Sequence, residues 1–154
     1  PVKQLREYLD REQVKYVTIL HSPAFTSQEI AAIAHVPGKE LAKTVVVKID
    51  GRMALAVVPA SYRVDLELLE EVAGAKDVWL ASEAEFKDRF PGCEPGAMPP
   101  FGHLYDMPTF VAQVLREDDE IAFNAGSHTE LIRMSYADFE RLEKPTVLEF
   151  AAHV

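Results

Sequence analysis

Cysteine is almost absent from this sequence, because Cys93 is the only one in 154 residues. One cysteine forms neither an intramolecular disulfide nor a cysteine-cluster metal site, and such sparing use is typical of a reducing compartment. Long apolar runs are also absent, and the first residues lack the apolar core of a signal peptide. We therefore expect a cytoplasmic protein with no membrane partner.

Motifs of metal and nucleotide enzymes are missing as well. The five histidines show no H-E-x-x-H or other paired metal-ligand spacing. The chain has no G-x-S-x-G nucleophile elbow and no Walker or Rossmann glycine pattern. We expect neither a metal nor another cofactor.

Basic residues are too few for a uniformly basic nucleic-acid coat, since 16 Lys and Arg face 25 Asp and Glu, a net charge of −9. The charge is uneven, however. Residues 1–63 carry nine basic and six acidic side chains, net +3, which leaves −12 for residues 64–154. A polyanionic ligand is therefore expected to approach the first part of the chain, unless the late acidic residues are merely solvated helix faces.

What the sequence does contain is typical of a globular protein, with 48% apolar and 27% charged residues. The length favours one domain over residues 1–154. Short strands with helices inserted between them, without regular alternation, predict an α+β fold with a mixed, curled, barrel-like sheet and surrounding helices.

The strongest local signal is a hairpin of strands 44–49 and 53–58 joined by Asp50-Gly51, a dipeptide that suits a type I′ turn. Capping boxes at Thr26-x-x-Glu29 and Ser82-x-x-Glu85 predict helices that run to about residues 35 and 90. The other predicted helices cover 2–13, 66–73 and a segment from 135. The other predicted strands cover 16–20, 77–80, 103–105, 109–115, 120–124, 129–134 and 146–150, with a turn at Gly126-Ser127.

Lys43 opens the first hairpin strand. Alternation places it on one face with Val45, Val47 and Ile49, whereas Lys48 falls on the other face, towards solvent. A lysine on an apolar face either has a functional reason or is a snorkelling side chain whose stem covers the sheet end.

Two loops could also carry chemistry. The stretch from Gly96 to Gly102 combines glycines, which allow close approach of a ligand, with prolines, which fix the shape. It either presents backbone N–H groups to an oxyanion or phosphate, or is a rigid connector. His128, in a turn between two strands, either binds a ligand or satisfies a loop carbonyl.

Together these pieces resemble the YbaK and prolyl-tRNA synthetase-associated editing domain family. The matching elements are His21-x-Pro23-x-x-Thr26-x-x-Glu29, Lys43-Thr44, Gly96-x-x-x-Pro100-x-Gly102 and Gly126-Ser127-His128. They occur in the family's order across residues 21–128.

The resemblance implies a free-standing deacylase that hydrolyses the ester between a wrong amino acid and the terminal adenosine of tRNA. Its partner would be the 3′ end of an aminoacyl-tRNA, and association with a synthetase stays open. The resemblance implies catalytic roles for Lys43 and His128. It implies a substrate-binding surface made of His21, Thr26, Gly96, Ala97, Met98, Pro99, Pro100, Gly102, Gly126 and Ser127. Pro99 departs from the pattern and removes one N–H that the loop could have offered.

Ester hydrolysis of this kind needs a held carbonyl, a stabilised oxyanion and a positioned water, which a cation and backbone donors supply without a protein nucleophile. In this hypothesis Lys43 fixes the terminal phosphate or polarises the ester, and the ribose 2′-hydroxyl positions the water. The amino acid is small, of the alanine, cysteine or serine type, with tRNA-Pro as one carrier. A non-catalytic binding module of the same fold and a hydrolase of small free esters are the alternatives.

Overall fold

The computed structural model describes residues 1–153. Five α-helices and ten strands form within that range. The helices are α1 (Lys3–Arg11), α2 (Ser27–Ala34), α3 (Leu66–Ala73), α4 (Glu83–Phe86) and α5 (Tyr136–Glu143). The strands are β1 (Tyr16–Leu20), β2 (Leu41–Ile49), β3 (Arg52–Pro59), β4 (Tyr62–Val64), β5 (Val78–Leu80), β6 (Thr109–Ala112), β7 (Glu120–Ser127), β8 (Glu130–Ser135), β9 (Thr146–Leu148) and β10 (Ala151–His153).

The strands make one large mixed sheet in the order β1-β8-β7-β2-β3-β6-β9, with β5 added to β2 and a separate β10-β4 pair. The pairs β2-β7, β3-β6 and β6-β9 are parallel, and the other pairs are antiparallel. The predicted α+β class with a mixed, curled sheet is confirmed.

The predicted turn and helix starts that depend on particular side chains are present in the structure. Asp50 and Gly51 have φ of +49° and +84°, as the two central residues of a type I′ turn require. The Thr26 hydroxyl accepts a hydrogen bond from the Glu29 N–H at the start of α2, and Ser82 and Glu85 form a reciprocal capping box at α4. These contacts fix the hairpin and the two helix starts.

Both faces of the central strands are covered, which accounts for the low exposure of β3 and β7. One face meets α1, α5 and the segment around Phe101 in the largest core cluster. On the other face α3 packs over the β2-β3 hairpin, and α2 packs over the start of β2 and the adjoining β7 and β8.

Several sequence predictions are wrong in detail. Residues 103–105 lie in a 3₁₀ helix, Gly102–Tyr105, rather than a strand, and the strand predicted for 109–115 ends at Ala112 in a second 3₁₀ helix. Helix α4 ends at Phe86 instead of near residue 90. Strand β7 continues through Gly126 and Ser127, so the turn lies at residues 128–129.

The predicted solvent side of β2 is also wrong. Val46, on the same side as Lys48, is 4% exposed and belongs to the largest core cluster. Lys48 itself is half-buried and its Nζ lies 2.7 Å from Glu85 Oε2. Among the described residues, no helix is long and apolar enough to span a bilayer.

Candidate active site

A fork between β2 and β7 forms the centre of the site. The two parallel strands pair only at Leu41 with Ala122 and at Ala42 with Phe123. Beyond these pairs β2 bonds to β5, while β7 bulges between Asn124 and Ser127. Lys43 and Asn124 are therefore the first residues past the last pair, one on each side of the opening. Diverging parallel strands of this kind leave a crevice at their carboxyl ends.

The Lys43 amine lies at this fork and has no counterion among residues 1–153. The side chain is half-buried, and burial lowers its pKa, with no charged or hydrogen-bonding neighbour among residues 1–153 contributing. A partly desolvated cation that no carboxylate neutralises is poised to receive an anion or a polarised carbonyl oxygen. This environment differs from that of Lys48, whose charge is paired.

Asn124 faces the same side of the sheet as Lys43. Asn124 pairs with Leu131 of β8, and Leu131 also pairs with Ile19 of β1. Leu131 and Ile19 pack in the cluster that contains α2, so these three residues lie on the side of the sheet that α2 covers. The side chain is 7% exposed, and its Oδ1 is buried with no hydrogen-bond partner in the described chain. A buried amide oxygen left without a donor is costly and marks a place for a ligand's donor.

The predicted residue His128 is placed beside the predicted loop. Its Nε2 lies 2.9 Å from the carbonyl oxygen of Pro95, and a Cβ on Gly96 would lie 3.5 Å from its Cε1. Because a carbonyl only accepts, Nε2 carries a proton, and in the neutral imidazole Nδ1 is the acceptor. Nδ1 is buried and has no partner within residues 1–153.

His21 repeats this arrangement. Its Nδ1 lies 2.7 Å from the Ser22 carbonyl oxygen, so in the neutral ring Nε2 is the acceptor. This Nε2 is buried and unpartnered in the described part of the chain. The His21 N–H donates to Thr129 O at 2.9 Å, and the Ala24 N–H donates to His128 O at 3.2 Å. Backbone bonds thus hold the two histidine loops together.

The loop from Glu94 to Ala97 fills the edge that β7 leaves open. Its Glu94 N–H donates to Gly126 O at 2.8 Å, and the Gly126 N–H donates to Ala97 O at 3.0 Å. Gly126 has a φ of +107° and approaches Val2 too closely for a side chain, which explains the glycine. These bonds place the loop against the fork and beside His128.

Few of the loop's N–H groups remain available. The Ala97 N–H donates to Glu94 O, and Pro99 and Pro100, both buried, have none. The Gly96 N–H faces the Met98 sulfur at 3.1 Å, a weak acceptor. Met98 itself is buried. The Gly96 N–H is therefore a loop donor that can turn to a ligand.

Three predicted binding residues also have structural contacts. Gly102 donates its N–H to Thr109 Oγ1 at 3.1 Å, in a buried network with Glu143. Thr26 caps α2, and the Ser127 hydroxyl bonds to Thr129. Conversely, sequence reasoning missed Asn124, although a polar residue within an apolar strand was an available signal. Within residues 1–153, no group of three His, Cys, Asp or Glu side chains is arranged to hold a metal ion.

Comparison with known proteins identifies the family of the chain. The chain belongs to the aminoacyl-tRNA editing domain family, whose sequence model matches residues 21–142. The protein is thus an aminoacyl-tRNA deacylase, a hydrolase of the ester that links an amino acid to tRNA. This confirms the family resemblance inferred from the motifs.

One curated relative is the multifunctional Ser/Thr-tRNA deacylase ProXp-y of Escherichia coli, 29% identical over 153 residues, or 96% of this chain and 91% of the relative. Among solved structures, the hypothetical protein APE2540 superimposes with a TM-score of 0.86 at 21% identity, over 97% of this chain and all of that one. A candidate trans-editing enzyme for prolyl-tRNA synthetase superimposes with a TM-score of 0.82 at 20% identity, over 98% of this chain and 96% of that one. These two structures support the fold.

Proposed function

We propose that the chain removes small hydroxylated amino acids, serine and threonine, from mischarged tRNA, with Lys43 and the two histidines in contact with the substrate. The observation that carries this proposal is the Lys43 amine at a fork shared with Asn124, beside two loops that carry His21 and His128. Within the described residues the amine is unpaired, and each of these histidines keeps one buried ring nitrogen without a partner. The relative ProXp-y, a multifunctional Ser/Thr-tRNA deacylase, supports the choice of amino acid.

The acceptors suit the donors of such a substrate. An esterified serine or threonine carries an ammonium group and a side-chain hydroxyl, and both need acceptors when they leave water. His21 Nε2, His128 Nδ1 and Asn124 Oδ1 are three buried acceptors without partners among residues 1–153. A site built to bond a hydroxyl rejects an analogue without it far more strongly than an apolar pocket rejects a missing methylene.

Lys43 supplies the positive charge. In the proposal its ammonium binds the terminal phosphate or the ester oxygen on which negative charge develops, and its partial burial strengthens that interaction. The Gly96 N–H is the accompanying backbone donor, once it leaves the Met98 sulfur. Water, positioned by the ribose 2′-hydroxyl, attacks the carbonyl carbon, and the ester oxygen leaves with a proton as the 3′-hydroxyl of tRNA.

A panel of esters tests the amino acid. One tRNA-Pro body is charged in turn with serine, threonine, alanine and cysteine, and single-turnover deacylation is measured, with and without prolyl-tRNA synthetase to test that partner. We expect Ser- and Thr-tRNA to react at least about tenfold faster than Ala-tRNA. Faster loss of alanine would overturn the preference for a hydroxyl.

The same panel separates the alternatives. Serine methyl ester serves as a substrate without tRNA, and filter binding measures tRNA affinity. Equal turnover of the methyl ester would indicate a hydrolase of small esters, whereas tight tRNA binding without any turnover would indicate a binding module. We expect turnover of the tRNA ester alone.

A further inference from the structure

An exposed aromatic ring stands at the edge of the candidate site. Phe25, in the loop between β1 and α2, is 70% exposed, although burial of a phenyl ring is energetically favourable. Its neighbours are well anchored. The Ala24 side chain is fully buried with its N–H bonded to His128 O, and Thr26 caps α2. The ring is thus presented to solvent by an anchored loop.

The ring lies directly on the histidine of the site. The centroids of Phe25 and His128 are 4.7 Å apart, with the ring planes at 49°. His128 in turn lies beside Gly96 and bonds to Pro95 O. Phe25 therefore borders the place where the ester would lie, and much of its surface is free.

The chemistry next to such an ester is a purine base. In an aminoacyl-tRNA the ester is on the ribose of the terminal adenosine, so the adenine lies about one sugar ring away. Single-stranded RNA ends are held by stacking their bases on aromatic side chains, at about 1–3 kcal/mol per base. An exposed ring at this distance from the ester site matches the position of the base.

We infer that Phe25 is the platform on which the terminal adenine of the tRNA stacks while its ester enters the site. The inference rests on the proposed function, since it takes the position of the ester from that proposal. The ring binds and positions the substrate and takes no part in proton transfer.

Trp79 provides a matched control. It is similarly exposed, at 63%, but it lies on β5 opposite Lys48. Lys48 lies five positions after Lys43 along the strand, a distance of about 17 Å at 3.3 Å per residue. An effect of general surface hydrophobicity would appear at both aromatic residues, whereas stacking next to the ester would appear only at Phe25.

The kinetic test removes the ring and the base in turn. Two short RNAs, one ending in adenosine and one ending in a ribonucleotide without a base, are acylated with serine and used as substrates. On the adenosine ester, Phe25→Ala should lower kcat/KM by about 5- to 150-fold, mainly through KM, whereas Phe25→Trp and Trp79→Ala should stay within about threefold of the native protein. On the ester without a base, Phe25→Ala should have no effect.

An equal loss on both esters would overturn the inference, because Phe25 would then act through His128 or the fold. No loss on either ester would overturn it as well. Thermal unfolding of Phe25→Ala should match that of the native protein, since the side chain is exposed.

A binding readout stays valid if deacylation fails altogether. In the double variant Phe25→Trp with Trp79→Phe, the sequence's only Trp is moved to position 25. Its fluorescence should be quenched by the unacylated RNA ending in adenosine and not by the RNA without the terminal base. Absence of turnover by the native protein on every ester refutes the proposed function, whereas equal quenching by both RNAs, or none, refutes the stacking.

Discussion

Lys43 and Lys48, both on β2, show whether activity depends on a positive charge alone or on the surroundings of that charge. Lys43 has no counterion among residues 1–153, whereas Lys48 is paired with Glu85 at 2.7 Å. We expect Lys43→Ala to lower kcat/KM for seryl-tRNA at least about 100-fold, a loss of about 3 kcal/mol of transition-state stabilisation. Lys48→Ala should stay within about threefold. Equal effects in two folded variants would exclude a specific role for Lys43.

The pH dependence follows from the same environment. Burial lowers the pKa of Lys43 from its usual 10.5, so the ammonium loses its proton at lower pH than an exposed lysine. If the cation is the active form, kcat/KM falls as pH rises through that lowered pKa. Lys43→Arg keeps its charge and should move the fall to higher pH. Rates corrected for spontaneous ester hydrolysis measure this, and identical alkaline limbs would contradict it.

Asp118 destabilises the folded protein by an amount that depends on pH. Burial, above all, raises its pKa to about 6, and its Oδ2 is buried without a partner in the described chain. The folded state therefore holds a proton that the unfolded state has lost between about pH 4 and 6, so stability falls as pH rises through that window. Asp118→Asn should stabilise the protein by about 1 kcal/mol at pH 7.5 and by little at pH 4. Urea unfolding at pH 7.5 and pH 4 measures this, with Asp119→Asn as the control. A gain in stability that is the same at both pH values would contradict the prediction.

At the scale of the elements, two glycines have different reasons to be glycine. A Cβ on Gly102 would lie 2.4 Å from both Met107 O and Thr109 Oγ1, whereas Gly51 has open space and a φ of +84°. Gly102→Ala should destabilise the fold by about 3 kcal/mol or more, and Gly51→Ala by about 1 kcal/mol. Urea unfolding compares the two variants. A Gly102→Ala variant that folds normally and loses only substrate affinity would contradict this structural explanation and favour the binding role that the motif implied.

The elements that could be predicted from sequence are those set by local chemistry. The I′ turn at Asp50-Gly51, the cap at Thr26 and the αL residue Gly74 at the end of α3 each need particular side chains at fixed offsets. The segment at 103–105 was predicted as a strand because its residue types permit one. Contacts far along the chain decide otherwise, since the His103 imidazole bonds to the buried carboxylate of Glu143.

The candidate site was predictable only in part for the same reason. The motifs indicated Lys43, Gly96 and His128, and the structure places His128 against Gly96. Asn124 joins the site only because β2 and β7 are parallel neighbours that separate. That pairing is part of the tertiary structure and has no local signal in the sequence. Phe25 gave no signal in the sequence, since exposure at one position in a loop depends on how the loop is anchored.

For the whole molecule, the uneven charge predicts where tRNA lies. Arg52 is exposed and has no ion pair in the described part of the chain, whereas Arg116 is paired with Glu140 at 2.8 Å. Lys39 borders a cleft with five acidic side chains, so it is a poorer phosphate contact than its place in the basic part of the sequence indicated. Arg52→Glu should weaken tRNA binding and flatten its dependence on salt, and Arg116→Glu should change both less. Filter binding at several salt concentrations would contradict this if Arg116→Glu caused the larger loss.

The fork between β2 and β7 also has a consequence for amide hydrogen exchange. Even-numbered residues of β2 direct their backbone N–H away from β3, as the bond from Ala81 N to Val46 O indicates, and the β7 pairing ends before Thr44. The Thr44 amide hydrogen should therefore exchange with solvent much faster than those of Lys43 and Val45, which point towards β3. A ligand bound in the fork would selectively slow exchange of the Thr44 amide hydrogen. Exchange at Thr44 can therefore show whether the fork is occupied, even in a variant without catalytic activity.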